Sequence, residues 1–139
     1  MRYLLLIVGL LIVWGCSRSG RPLTDVERSE MASRTIGKPV DQTVILVNDF
    51  LVSQGYTIDQ YDEKTNILST KWVARPRYPL TYGTEPQMIK AKIRGAGRTE
   101  TLVEFLIYTF TGYDNPDLVT TSKRYEQLMG VFDAFLAGK

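Results

Sequence analysis

The chain of 139 residues contains no histidine and one cysteine, Cys16. These shortages remove the commonest zinc ligands and the usual proton-transfer and nucleophile pairings, because imidazole and thiolate carry most of that chemistry near neutral pH. Oxygen-ligand metals such as calcium stay chemically open, but no loop with EF-hand spacing occurs. Charge of one sign is scarce too, with 17 basic residues against 15 acidic ones and a formal charge of +2. A field that small does not steer a chain onto nucleic acid. No G-x-S-x-G, phosphate loop or dinucleotide fingerprint appears. Asp59 with Asp62, and Glu100 with Glu104, are carboxylate pairs in sequence, but such pairs are ordinary on strand and turn surfaces. The expectation is a chain that is not an enzyme and uses neither cofactor nor metal.

One apolar run stands out. Arg2 precedes Tyr3 to Trp14, which is interrupted only by Gly9 and has the length of a secretory signal core. A spanning helix needs about 20 such residues, and Ser17, Arg18 and Arg21 end this run early. Val13-Trp14-Gly15-Cys16 resembles the bacterial lipobox, with an aliphatic residue at −3 and a small one at −1 before the cysteine that receives the lipid. Trp14 departs from the smaller residue that the pattern prefers at −2.

The resemblance implies that residues 1–15 are a signal peptide and that Cys16 is acylated by two or three chains, enough for stable anchoring. Lipidation consumes a thiol that would otherwise stay free and reactive in an oxidising compartment. The alternative is an incidental thiol behind an uncleaved anchor. Ser17 rather than aspartate follows the cysteine. In a Gram-negative cell that resembles the pattern passed to the outer membrane, so the expected location is the outer membrane, lipid-anchored and facing the periplasm.

The remaining 124 residues suit one domain. Residues 16–39 are polar, with Gly20, Pro22, Gly37 and Pro39 as breakers, and read as a flexible tether with a reach of about 25 Å. Val26, Met31 and Ile36 are the residues able to dock part of it. Residues 40–139 form the expected domain. Val40, Val44, Val47 and Leu51 recur at helical spacing, with Asp41 as a credible N-cap and Gly55 as a credible helix stop. Tyr56 to Asp62 and Ile67 to Val73 flank a polar turn, which predicts a β-hairpin with Leu68 and Trp72 inside.

Ala74 to Pro86 reads as a long loop. Gln87 to Arg94 then alternates, and a three-residue turn at Gly95-Ala96-Gly97 pairs Lys92 with Glu100 and Met88 with Glu104. That register places Val103, Phe105 and Ile107 inside and Leu102, Leu106, Tyr108 and Phe110 outside. Tyr125, Leu128, Met129, Phe132, Phe135 and Leu136 mark a closing helix within Thr121 to Ala137. The predicted fold class is α+β: helix, four-stranded antiparallel meander, helix, with both helices on one sheet face.

This succession, with Gly55-Tyr56-Thr57-Ile58, a polar turn at Asp62 and Ile67-Leu68-Ser69-Thr70-Lys71-Trp72, resembles the repeated domain of the BamC-type (NlpB) lipoproteins of the outer-membrane assembly machinery. Those carry two such domains, and this chain has room for one. The resemblance implies a helix-grip fold and an envelope setting.

Two candidate partner surfaces follow. The loop carrying Arg75, Arg77, Tyr78 and Tyr82 combines residue types enriched at binding hot spots. On the outer sheet face, Leu102, Leu106, Tyr108 and Phe110 stand where polar residues are expected. Either the tether or the loop covers that face, or a protein partner, a second copy or a lipid binds it. The leading expectation is a lipid-anchored envelope module that binds a protein partner at the outer membrane. The alternative is a carrier or sensor of an apolar ligand or lipid, held between sheet and helices in a cavity lined by Trp72, Phe105, Tyr125 and Phe132.

Overall fold

The computed structural model describes residues 21–76, 83–110 and 116–138. Its helices are α1 (Asp25–Ala32), α2 (Val40–Ser53) and α3 (Ser122–Ala137). Its strands are β1 (Ser33–Ile36), β2 (Ile58–Asp62), β3 (Ile67–Thr70), β4 (Val73–Pro76), β5 (Thr84–Gly95), β6 (Thr101–Thr109) and β7 (Asp117–Leu118). The class is α+β, as the alternating and helical stripes predict. The four-stranded meander is present as β2-β3-β5-β6, but it is only part of a seven-stranded antiparallel sheet. The long strands β5 and β6 form its middle. On one side β5 is flanked first by β3 and then by β4; on the other, β6 is flanked by β1 and then by β7.

Residues 25–36, expected within the tether, are folded. Thr24 and Glu27 form a reciprocal capping box that starts α1 by satisfying free backbone N–H groups at the helix end. The S/T-x-x-E signal is visible as Thr24-Asp25-Val26-Glu27, though α1 itself is strongly polar. Ala32 and Ile36 are buried and Val26 is exposed. From β1, Arg34 reaches α3 through a two-pronged ion pair with Asp133, both hydrogen bonds being 2.8 Å long.

Helix α2 matches its predicted span, but Pro39, not Asp41, occupies the N-cap position. Gly55 follows the helix at φ +79°, the left-handed geometry that glycine adopts without strain. Across the sheet, Val47, Phe50 and Leu51 meet Ile89, Ala91, Val103 and Phe105, with Met129 and Phe132 arriving from α3. A second cluster joins Ala32, Ile107, Val119 and Tyr125. Both clusters lie on the same sheet face, which is the face all the helices cover.

Two register expectations are corrected. The β5–β6 hairpin pairs Lys92 with Glu104, Met88 with Tyr108 and Gly95 with Thr101. Its turn closes through a 2.9 Å bond from the Ala96 N–H to the Glu100 carbonyl, leaving residues 97–99 at the tip. The pairing therefore slips by four residues from the expected one. An even slip leaves every side chain on its predicted face, so Val103, Phe105 and Ile107 are indeed inside.

The second correction changes a face. Strand β3 pairs Ser69 with Lys90, whereas β4 pairs Val73 with Gln87, so one extra residue lies between them. The Thr70 hydroxyl fills the irregularity by accepting a 3.0 Å bond from the Ile89 N–H. Because side chains alternate with a period of two, one extra residue inverts everything after it. Trp72, expected inside with Leu68, is turned to the outer face and is 41% exposed. Val73 and Arg75 turn inward instead. Part of the expected loop at Ala74 to Pro86 is thus strand, with β4 and the start of β5 enclosing it.

Candidate functional site

The outer sheet face collects the apolar residues that the helices do not cover. Tyr108 lies near the end of β6 with Phe110 just beyond it, and Met88 lies opposite Tyr108 on β5. The inversion after Thr70 adds Trp72, whose ring meets Phe110 edge-on at 6.0 Å between centroids. Such a pair is favoured by the quadrupoles of the two rings. Both residues stay exposed.

Toward the middle of this face, Leu106 is 5% exposed although none of α1, α2 and α3 lies over it. Its cross-strand neighbour is Lys90, whose ammonium sits 5.4 Å from the centre of the Tyr108 ring. The lysine stem covers apolar surface while its charge stays at the periphery. Glu104 lies 3.8 Å from the Lys92 ammonium and 3.9 Å from the Arg94 guanidinium. One carboxylate thus meets two of the three cations on this face, Lys92 and Arg94, while Lys90 lies over Tyr108. At the far edge the Thr65 side chain, together with the backbone N–H groups of Lys64 and Thr65 in the β2–β3 turn, holds the Asp62 carboxyl below the ordinary range.

Of the predicted partner residues, Leu102, Leu106, Tyr108 and Phe110 all lie on this face. Met88 joins them from the outer side of β5, as the alternation there predicts; Trp72, which also belongs with them, was missed because the extra residue between β3 and β4 leaves no mark in the local alternation. Arg75 does not belong with them. It points to the helix side, where its guanidinium lies 4.4 Å from the centre of the Tyr56 ring and donates to the Gln54 carbonyl. Cys16, Arg77, Tyr78 and Tyr82 lie outside the described residues.

The residues expected to line an apolar cavity do not enclose one together. Phe105, Tyr125 and Phe132 are fully buried, and the rings of Phe105 and Phe132 pack 5.0 Å apart. Trp72 is on the opposite face. The Tyr125 hydroxyl accepts a bond from the Ile107 N–H, and burial pushes that hydroxyl's pKa up. Among the described residues no cluster of His, Cys, Asp and Glu is placed to hold a metal ion, and no helix is long and apolar enough to cross a membrane. No protein-family model matches the chain, and comparison with curated proteins finds no match.

Proposed function

We propose that this chain is a non-enzymatic, lipid-anchored lipoprotein of the outer membrane whose folded domain binds a protein partner in the periplasm. The observation that carries the binding reading is the sheet face opposite α1, α2 and α3, where Trp72, Met88, Tyr108 and Phe110 adjoin the cations Lys90, Lys92 and Arg94. Aromatic anchors with basic neighbours suit a protein surface that has an apolar centre and an acidic border. The lipobox-like Val13 to Cys16 supports the anchor. Lipid on Cys16 confines the domain to a surface and raises its effective concentration near membrane-bound partners.

Photo-crosslinking from position 108 in intact cells, followed by mass spectrometry of the adducts, tests both halves. The expected result is one specific envelope protein, with the adduct reduced in a Cys16→Ser chain. Adducts with a second copy would replace the partner by self-association, adducts with lipid would favour a carrier, and adducts only within the chain would show that the face is merely covered.

A further inference from the structure

The inversion at Thr70 has a second result, on the helix side. It turns Arg75 toward the open end of the layer between sheet and helices, where a cavity of about 400 Å³ lies among α2, β4, β5 and α3. That volume falls in the range of small-molecule sites. Its polar wall is Gln54, Tyr56, Arg75, Gln87, Arg124 and Gln127; its apolar wall includes Pro76, Leu128 and Val131.

Among the described residues the charges in this corner do not balance. Arg124 is paired with Glu85, and their side chains are only 12% and 15% exposed. Glu85 is also the cross-strand neighbour of Arg75. Among the described residues no other carboxylate pairs with either arginine. Glu85 is thus taken up by Arg124, and no ion pair to Arg75 is formed among the described residues. An unmatched charge removed from water is costly until an opposite charge meets it.

Arg75 has donors to spare. It lies on the Tyr56 ring, one terminal nitrogen bonds the Gln54 carbonyl, and its Nε is buried with no hydrogen-bond partner. The turn at Gly55 carries the chain past this guanidinium, and a Cβ there would stand 3.7 Å from Arg75 Nη2. Both arginines act on the same phenol. Burial pushes the Tyr56 hydroxyl pKa up, while the charges of Arg75 and Arg124 pull it down.

From this geometry we infer that the Arg75–Arg124 cavity is a binding site for a small monocarboxylate with an apolar body. The carboxylate takes the spare guanidinium donors and neutralises the excess charge; the apolar body lies along Pro76, Leu128 and Val131. A single negative charge matches the imbalance better than a phosphate monoester, which carries about −1.5 to −2 at neutral pH. The planar fork of a guanidinium suits two-pronged contact with a carboxylate. This site faces away from the proposed partner surface and does not depend on it.

Calorimetric titration of the full chain with octanoate tests the assignment, with octanol and octyl phosphate as comparators. Octanoate should bind saturably at one site, and octanol at least about tenfold more weakly, as loss of a charge-assisted contact implies. Arg75→Gln should weaken octanoate by a similar factor while leaving the thermal midpoint nearly unchanged. Should that variant unfold, the pair Glu85→Gln with Arg124→Gln removes the second guanidinium without stranding a carboxylate. If neither variant folds, the octanoate-to-octanol ratio on the unaltered chain still decides. Absence of octanoate binding, equal binding of octanol, retention in a folded Arg75→Gln chain, or tighter binding of octyl phosphate would each overturn the inference.

Discussion

The two faces of the sheet use similar residues for different ends. On the helix side, Phe50, Phe105 and Phe132 meet at centroid distances of 4.8 to 5.9 Å and are completely buried. On the other side, Trp72 and Phe110 meet at 6.0 Å and remain open to water. Ring contact is comparable in the two places, but only the first removes the rings from solvent. The comparison teaches that an aromatic cluster reports stability or recognition according to what lies over it, because the hydrophobic contribution follows the area taken out of water. The first cluster holds the helices to the sheet, and the second leaves apolar surface in water.

The largest test of that contrast is Phe132→Ala. It should cost about 3–5 kcal/mol by removing buried contacts and leaving a cavity, read from denaturant unfolding monitored by far-UV circular dichroism. Loss of less than 1 kcal/mol would place the stabilising core elsewhere. Trp72→Ala should cost about 1 kcal/mol or less in the same measurement, since it removes one edge contact at an exposed site. It should nevertheless strongly reduce partner capture by the crosslink at position 108. If Trp72→Ala unfolds the chain as readily as Phe132→Ala, the two faces do not divide the work as argued.

The smallest effect concerns how the added strand is tied to the helix layer. The Arg34 guanidinium holds the Asp133 carboxyl below the ordinary aspartate value. A depressed carboxylate contributes stability above its unfolded pKa, and that contribution is lost as pH falls through the folded one. Stability should therefore decline below about pH 4, near the ordinary aspartate pKa, and Asp133→Asn should flatten part of that decline. The pair is half exposed, so about 0.5 kcal/mol at low salt is expected, and less at high salt. Thermal midpoints recorded against pH for the two chains measure it. An unchanged acid limb would show that Arg34 and Asp133 do not tie β1 to α3 in solution.

Much of the fold was legible because local patterns and tertiary burial agree. The stripe of Val47 and Leu51 and that of Tyr125, Met129 and Phe132 mark α2 and α3, and the alternation through β5 and β6 marks the inner face correctly despite a four-residue slip in register. Helix α1 and strand β1 were not legible as parts of the domain, because their sequence is polar and few of their residues are buried. Their order rests on the capping box, on Ala32 and Ile36, and on the ion pair of Arg34 with Asp133, a partner 99 residues away. A local reading offers the capping motif and the docking residues Met31 and Ile36, which do pack on the core, but not the ion pair.

The chain by itself determined the helices α2 and α3 with their apolar stripes, the hairpin of β2 and β3, the inward set on β5 and β6, and the lipobox-like start at Val13 to Cys16. Periodicity and spacing are local, and any reader of the sequence meets them directly. Only the tertiary structure decided that one extra residue between Ser69 and Val73 turns Trp72 out and Arg75 in. A side-chain hydroxyl, that of Thr70, substitutes for a backbone acceptor at that point. Whether a strand absorbs an extra residue depends on pairing with a neighbour distant in sequence, here β5, and no local pattern contains that information. That single offset adds Trp72 to the open face and Arg75 to the inner cavity.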